Sequence, residues 1–135
     1  MKSYVLDSFA LLVFLQKEPG SGHIHDILQK ARKKQATVFF SEISLGEVYY
    51  ILIRSMGLGD AKIALAHILA LPMTVIPAEL KDVLAAAEYK SRGAISYADC
   101  FVVALGETMH ATVVTGDREF AAFEKDVEVS WIIEK

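Results

Sequence analysis

The chain of 135 residues contains one cysteine, one tryptophan and three prolines, and its acidic residues outnumber its basic ones. Cys100 cannot form an intramolecular disulfide, and its apolar neighbours in ADCFVVAL favour a small buried side chain over a nucleophile. The four histidines are scattered and have no Cys or His partners at zinc-ligand spacing. We therefore expect a protein of a reducing compartment, the cytoplasm, without zinc or cysteine chemistry.

Long hydrophobic runs are also absent. The longest stretch without a charged residue, 63–78, contains His67 and two prolines, and it is shorter than the ~20 apolar residues of a membrane span. The N-terminal segment SYVLDSFALLVFL is interrupted by Asp7 and followed by no small-residue cleavage site, so it predicts a strand and a helix rather than a signal peptide. We expect a soluble protein with no membrane partner. The net charge of −3 argues against binding nucleic acid through basic charge alone.

Short apolar runs alternate with segments of helical periodicity along the whole chain. Strands are predicted at 3–6, 37–40, 73–76, 112–114 and 129–133. Helices are predicted at 9–17, 23–35, 42–56, 61–71, 78–91, 97–109 and, for a short one, near 118–123. No repeat or linker interrupts the alternation. It predicts a single domain over residues 1–135, a three-layer α/β/α sandwich with a mainly parallel central sheet of about four to five strands.

Two aspartates follow predicted strands directly. Asp7 comes after the strand 3–6, and Asp117 follows the strand 112–114 through the turn Thr115-Gly116. Because the carboxyl ends of parallel strands lie along one edge of a sheet, where ligands of open α/β sheets bind, we expect these two side chains to be neighbours.

Two further acids occur within apolar helices. Glu47 shares a helix face with Ile43, Tyr50 and Ile51, which we expect to be buried, and Asp99 opens a helix containing the apolar run CFVVAL. A carboxylate directed toward a core is unfavourable unless it is paired, hydrogen-bonded, protonated or metal-bound. Neither helix contains a Lys or Arg that is an obvious partner.

Each aspartate also has a purely structural interpretation. Asp7 and Asp117 can act as helix N-caps, each worth ~1 kcal/mol, and the sequence SYAD before and including Asp99 fits a capping box. For any one aspartate alone, capping is the favoured role, whereas Glu47 lies mid-helix and caps nothing. Clustered carboxylates would repel by ~4 kcal/mol per pair at ~4 Å and an effective dielectric constant of about 20. All-oxygen ligands then indicate Mg²⁺ or Mn²⁺, which would also make an acidic cleft attractive to phosphate.

The segments YVLDSFALLVFL, SEISLGEVYYIL and ISYADCFVVALGETMHATVVTGD together resemble the PIN domain. The resemblance is strongest to its VapC-type members, the toxin ribonucleases of bacterial and archaeal toxin–antitoxin pairs, and it extends over the whole chain. The acidic positions of the family, and the hydroxyl before the last of them, correspond to Asp7, Glu47, Asp99, Thr115 and Asp117. Two positions depart from the pattern. Gly46 lies inside a helix, and Glu119 stands where many members have Asp, which leaves open whether it joins the metal site.

The resemblance implies a metal-dependent endoribonuclease that leaves a 5′-phosphate and a 3′-hydroxyl. Mg²⁺ held by Asp7, Asp99 and Asp117 would lower the pKa of a bound water for attack on a phosphodiester. Glu47 would either ligate a second ion or deprotonate that water, and the sequence does not separate these roles.

Several other side chains are candidates for contact with the metal's waters or with RNA. The hydroxyls of Ser8 and Thr115 could bond a metal-bound water or a substrate phosphate. Arg118, Lys90 and Arg92 are candidate contacts to the RNA backbone, although a solvated surface charge is an equally good interpretation. The segment KARKK, 30–34, is better explained by cations at a helix C-terminus.

The resemblance also implies a cognate antitoxin that covers the acidic cleft, and the apolar composition favours a homodimer or higher homo-oligomer. The main alternative is a catalytically inactive PIN-like scaffold that binds RNA or protein, but a scaffold has no use for four repelling acids. A haloacid-dehalogenase-type phosphatase would need an Asp where Phe9 stands. A response-regulator receiver would need paired acids near the first strand and a Lys at a late strand end, and the sequence has neither.

Overall fold

A sheet of five parallel strands forms the centre of the molecule in the computed structural model, which describes residues 1–132. The strands are β1 (Lys2–Leu6), β2 (Ala36–Ser41), β3 (Thr74–Ile76), β4 (Thr112–Thr115) and β5 (Val129–Trp131). Their order across the sheet is β3-β2-β1-β4-β5, and each neighbouring pair is parallel. The predicted parallel sheet is confirmed, with five strands.

Helices cover both faces of this sheet. They are α1 (Ser8–Leu15), α2 (Ser21–Arg32), α3 (Glu42–Met56), α4 (Leu58–Leu69), α5 (Leu80–Lys90), α6 (Tyr97–Thr108) and a 3₁₀ helix (Arg118–Phe123). Buried residues of α1 to α4 pack with Leu6 and Val114 on one face, whereas α5, α6 and the 3₁₀ helix pack with Val5 and Val113 on the other. Successive strand residues point to opposite faces, so each central strand contributes to both cores. The predicted three-layer α/β/α sandwich is therefore confirmed.

The start of α4 differs from the predicted helix, which began at residue 61. The helix begins at Leu58, with Gly57 as its N-cap at φ 86°, and the Ala61 N–H donates to the Gly57 carbonyl at 3.0 Å. Only Gly57 needs the positive φ that favours glycine, so one residue is enough to separate α3 from α4. Asp60 lies in the first turn of α4, where a negative charge is favourable.

The last strand is also shorter than predicted. β5 ends at Trp131, and the Ile132 N–H still donates to the Thr115 carbonyl at 2.9 Å. Ile133, the end of the predicted strand, lies outside the described residues. Within the described part of the chain, no helix combines the length and the apolar character needed to cross a bilayer.

The strand order creates a switch point between β1 and β4. The chain adds β2 and β3 on one side of β1 and then returns to add β4 and β5 on the other side. In open parallel sheets, the helices that follow two such strands diverge to opposite faces and leave a crevice beyond the carboxyl ends of the strands. Leu6 is in register with Val114, so the residues that follow β1 and end β4 meet at this crevice.

Candidate active site

Asp7 lies at the switch point with only 1% of its surface exposed. It is the N-cap of α1: its Oδ1 accepts a hydrogen bond from the Ala10 N–H at 2.7 Å. Its Oδ2 accepts a second from the Thr115 hydroxyl of β4 at 2.5 Å. Burial, and to a smaller degree the charges of Asp99 and Asp117, raise the pKa of Asp7 from 3.8 to about 7, although both hydrogen bonds act in the opposite direction.

The turn after β4 holds Asp117 beside Asp7. The Thr115 hydroxyl that donates to Asp7 also accepts the Asp117 N–H at 2.9 Å. Asp117 in turn caps the 3₁₀ helix, since its Oδ1 accepts the Glu119 N–H at 3.0 Å. A Cβ at Gly116 would lie 2.4 Å from Cε1 of Phe9, so a larger residue in this turn would require the Phe9 ring to move. The sequence predicted Asp7 and Asp117 as neighbours, and both are N-caps as well as members of one site.

Asp99 enters the site from the first turn of α6. The Ser96 hydroxyl accepts the Asp99 N–H at 3.2 Å, which is half of the predicted capping box. The described hydrogen bonds do not include the reciprocal bond from the Ser96 N–H to the Asp99 carboxylate. The pKa of Asp99 is raised to about 6, mainly by burial. A side-chain hydrogen bond with Ser96 lowers this pKa, whereas the charges of Glu47, Asp117 and Glu119 raise it further. The Asp99 carboxylate therefore lies close both to the N-cap residue of its own helix, Ser96, and to the carboxylates of Asp117 and Glu119.

Glu47 projects from α3 and accepts a hydrogen bond from the Ser8 hydroxyl at 2.5 Å. Its side chain is partly exposed, and Tyr50 on the same face is 47% exposed, so the prediction that this whole face is buried was wrong. The buried stripe of α3 consists of Ser44, Val48 and Leu52 instead. Because α3 packs on the sheet through that stripe, Glu47 lies at the border of the interface and faces the cleft.

The tightest group of acids in the described chain consists of Asp99, Asp117 and Glu119, with one carboxylate oxygen from each lying within 4.8 Å of the others. Asp7 and Glu47 adjoin this group through the charge interactions described above. The sequence left the place of Glu119 open, and the structure brings it into the cluster. Its position two residues after Asp117, in the first turn of the helix that Asp117 caps, is a local feature consistent with this place but did not decide it.

Within residues 1–132, no ion pair joins a Lys or Arg to an acid of this cluster. Among the described residues the ion pairs are Lys2–Glu128, His25–Asp26 and Arg92–Asp126. A group of five carboxylates without a Lys or Arg partner offers only oxygen ligands, and such ligands fit a hard divalent cation such as Mg²⁺ or Mn²⁺.

The basic residues proposed as RNA contacts have different surroundings. Arg118 is exposed, and its guanidinium lies 5.6 Å from the ring centroid of Trp131. Arg92 instead pairs with Asp126 at 2.6 Å and stacks on Tyr89 and Phe123.

The other predicted basic positions also have structural partners. The Lys90 ammonium donates to the Ile95 carbonyl at 2.9 Å. Lys30 and Arg32 lie in the last turn of α2, as the helix-end interpretation predicted. Of the three candidate contacts to the RNA backbone, Arg118 alone has neither an ion pair nor a side-chain hydrogen bond within the described chain, and it lies immediately beside an acid of the cluster.

Known structures share this fold over nearly their full length. One is VapBC2 from Rickettsia felis bound to a DNA fragment from the promoter, with 19% identity and a TM-score of 0.75 over 95% of this chain and 97% of that chain. Another is DNA-bound VapBC from Salmonella typhimurium, with 13% identity and a TM-score of 0.75 over 98% and 100%. A third is VapC20 from Mycobacterium tuberculosis, described as a sarcin-ricin loop cleaving toxin, with 22% identity and a TM-score of 0.68 over 90% and 94%.

At these identities the similarity establishes the fold. A sequence search of curated proteins finds no match. The family model of the PIN domain, by contrast, matches residues 4–126, a range that contains every acid of the cluster. PIN domains are generally nucleases. The match extends from β1 to the residues after the 3₁₀ helix, and on this basis the chain belongs to the PIN domain family.

Proposed function

We propose that this protein is a divalent-metal-dependent endoribonuclease and the toxin of a toxin–antitoxin pair. The observation that carries the proposal is the cluster of Asp7, Glu47, Asp99, Asp117 and Glu119 at the switch point of the sheet. Two of its members are buried with raised pKa values, and no ion pair in the described chain neutralises it. Such a cluster weakens the fold unless it binds a cation, so a metal site explains why these acids are together.

Asp7, Asp99 and Asp117 would hold the cation, with Glu119 close enough to contribute a further oxygen. Bound Mg²⁺ or Mn²⁺ supplies Lewis acidity, which acidifies a water and offsets the charge that develops on the phosphodiester oxygens. Glu47 would either complete a second ion site or accept the proton of the attacking water. The Ser8 hydroxyl donates to Glu47 and fixes the direction of its carboxylate in either role.

The hydroxyl of Thr115 has a similar positioning role. It donates to Asp7 and accepts from the backbone of Asp117, so one side chain sets the spacing of two ligands. Contact of Ser8 or Thr115 with a substrate phosphate would require exchange of these bonds. Arg118 is exposed and needs no such exchange, and we propose it as the first contact to the RNA backbone.

The partners follow from the same comparison. Similar structures are VapBC complexes, which supports a cognate antitoxin that covers the acidic cleft with an Arg or Lys. Large apolar side chains are exposed on α4 and α5, among them Ile63 at 60% and Leu84 at 54%, which supports a homodimer or higher homo-oligomer. We propose that residues 1–135 act as a single catalytic domain.

Cleavage of RNA with and without divalent metal tests the activity. Purified protein is incubated with a mixed RNA pool in Mg²⁺, in Mn²⁺ and in chelator, and the fragment ends are mapped. We expect fragments with 5′-phosphate and 3′-hydroxyl ends that disappear with chelator. Asp99→Asn should abolish cleavage, because it removes a metal ligand, while preserving or raising the melting temperature.

Asp60→Asn is the matched control, because Asp60 is also an aspartate in the first turn of a helix but is exposed and belongs to α4. It should cleave like the unmodified protein. Unchanged cleavage by Asp99→Asn would show that the acids are structural. Binding of RNA without any cleavage would select the inactive scaffold instead.

A further inference from the structure

The start of α1 contacts three separate parts of the candidate active site through consecutive side chains. Asp7, the N-cap, accepts the Thr115 hydroxyl, and Ser8 donates to Glu47 of α3. Phe9, the next residue, lies against the turn after β4. Successive residues of a helix point about 100° apart, because 3.6 of them complete a turn. Adjacent side chains can therefore reach different neighbours, and Phe9 supplies the apolar contact of the three.

The ring of Phe9 occupies the space that a side chain at position 116 would need. A Cβ at Gly116 would lie 2.4 Å from Cε1, 3.0 Å from Cζ and 3.1 Å from Cδ1 of this ring, which are its three nearest atoms outside residues 115–117. Among the described glycines, positive φ values occur at Gly20 and Gly57. The backbone at Gly116 therefore does not need a glycine for its φ, and the missing side chain is matched to the ring.

This contact falls on the most flexible link between two members of the site. Thr115 is fully buried and fixed in the sheet, where its carbonyl accepts the Ile132 N–H at 2.9 Å. The Asp117 N–H donates to the Thr115 hydroxyl at 2.9 Å. Between them stands Gly116, and glycine has the greatest backbone freedom of all residues. A ring packed against Gly116 restricts that freedom and so limits where the Asp117 carboxylate can lie.

Core packing does not account for the position of Phe9. Its side chain is 42% exposed and belongs to neither hydrophobic core, whereas Phe40 and Phe120 are fully buried. A phenylalanine stabilises a fold mainly by removing its ring from water, and Phe9 forfeits part of that gain. The contact with Gly116 explains the place of the ring better than burial does.

We propose that Phe9 is a positioning residue of the metal site, which holds Asp117 in place by packing against Gly116. The inference rests on the proposed metal site and adds to it a residue that would not itself contact the metal. Asp117 Oδ1 accepts the Glu119 N–H at 3.0 Å, so a shift of Asp117 also shifts Glu119. These two residues and Asp99 form the tightest group of acids in the described chain.

A double-mutant cycle tests the contact, with Mn²⁺ affinity measured by isothermal titration. Phe9→Ala removes the ring and should weaken binding roughly 10-fold, the lower range for loss of a group that supports a metal ligand. Gly116→Ala should also weaken binding, because its Cβ displaces the ring. The double variant should bind better than either single variant, because the new methyl group fills part of the space that the ring has left and stiffens the turn.

Two substitutions serve as matched controls. Gly46→Ala changes a glycine next to Glu47, but the space at its Cβ position is open. Tyr50→Ala removes an aromatic ring that is similarly exposed, at 47%, and that contacts Arg54 instead of the turn. Both should leave Mn²⁺ affinity unchanged. Losses from Phe9→Ala and Gly116→Ala that simply add in the double variant would overturn the inference.

Amide hydrogen exchange, followed by NMR in chelator, provides a readout that needs no metal. Exchange of the Asp117 N–H should be faster in Phe9→Ala than in the unmodified protein and slower again in the double variant. The Ala61 N–H of α4, which donates to the Gly57 carbonyl at 3.0 Å, is the internal reference and should exchange at the same rate in all variants. Equal acceleration of both amides would show general destabilisation and overturn the positioning role.

The two proposals fail in different ways. The expected exchange pattern, without any Mn²⁺ binding by the unmodified protein, would support the positioning of Asp117 by Phe9 and reject the metal-dependent nuclease. Metal-dependent cleavage, with equal Mn²⁺ affinity of the unmodified protein and Phe9→Ala, would reject the role of Phe9 and leave the nuclease intact.

Discussion

Asp7 illustrates how one residue can meet a structural and a chemical requirement together. As an N-cap it satisfies the Ala10 N–H at the start of α1, and as a buried acid it faces Asp99 and Asp117. A cap alone would tolerate an exposed, ordinary carboxylate. The raised pKa of Asp7 results mainly from burial, with smaller contributions from the charges of Asp99 and Asp117, and capping alone requires neither.

The pKa of Asp7 predicts how the metal-free protein responds to pH. In the folded protein the Asp7 carboxyl keeps its proton up to about pH 7. In the unfolded chain it keeps the proton only up to about pH 3.8, which is its ordinary pKa. Between these values the folded state holds more protons, so this residue makes stability fall as pH rises from about 4 to about 7. Asp7→Asn keeps a good N-cap and removes the charge, so in chelator it should melt at a higher temperature than the unmodified protein at pH 8.

The melting temperatures of both proteins across pH 4.5 to 8, measured by calorimetry in chelator, provide the check. The advantage of Asp7→Asn should shrink toward pH 4.5, where Asp7 is protonated in the folded protein. An advantage that is the same at every pH, or none at pH 8, would contradict the raised pKa.

At the scale of elements, the connection between α5 and α6 holds the helix that carries Asp99 against the segment after Asp117. Arg92 in this connection pairs with Asp126 and stacks on Phe123 of the 3₁₀ helix, and the neighbouring Gly93 packs against the same ring. The contacts join the two segments that supply the closest acids. Arg92 is therefore better explained as a link between elements than as a contact to RNA.

Arg92→Ala should lower the melting temperature by a few degrees, because it removes both the ion pair with Asp126 and the stacking on the rings. Arg92→Lys keeps the charge but not the planar stacking, so it should restore part of the loss. The affinity for single-stranded RNA, measured by anisotropy on Asp99→Asn protein, should remain unchanged in both variants. A loss of RNA affinity with an unchanged melting temperature would instead support the backbone contact.

At the scale of the molecule, the strand order accounts for the charge distribution. Net charge is only −3, yet the structure collects five acids at one end of the sheet, from β1, α3, α6 and the segment after β4. The fold therefore concentrates repulsion in one cleft, and a cation that binds there stabilises the folded state over the unfolded one.

Mn²⁺ should raise the melting temperature, with about 2.7 kcal/mol of added stability at a concentration 100 times the dissociation constant. Because Glu119 belongs to the tightest group of acids, Glu119→Gln should weaken Mn²⁺ binding roughly 10-fold, the lower range for loss of a supporting group at a metal site. Glu124→Gln, an exposed acid just after the 3₁₀ helix, is the control and should leave binding unchanged. Isothermal titration of each protein with Mn²⁺ measures the difference, and equal affinities would place Glu119 outside the site.

Some features were predictable because they depend on local rules. Hydrophobic periodicity indicated each strand and helix, and strand-end positions indicated that Asp7 and Asp117 would meet. The start of α4 was not predictable in this way. The sequence has two glycines around the junction of α3 and α4, and only one of them, Gly57 with its positive φ, separates the two helices. The exposure of Tyr50 was also not predictable, because periodicity defines the faces of a helix but not which of them the sheet covers.

The sequence by itself determined the class of fold and the residue types of the site. Both depend on short segments: strand periodicity alternates with helix periodicity, and carboxylates stand at strand ends and within apolar helices. Only the tertiary structure decided that Glu119 joins the cluster, that Arg92 is occupied by Asp126, and that the Phe9 ring lies against Gly116. These facts depend on the order β3-β2-β1-β4-β5, which brings the end of β1 beside the end of β4 at the switch point. Strand order is set by the packing of all the helices at once, and no short segment of the sequence contains it.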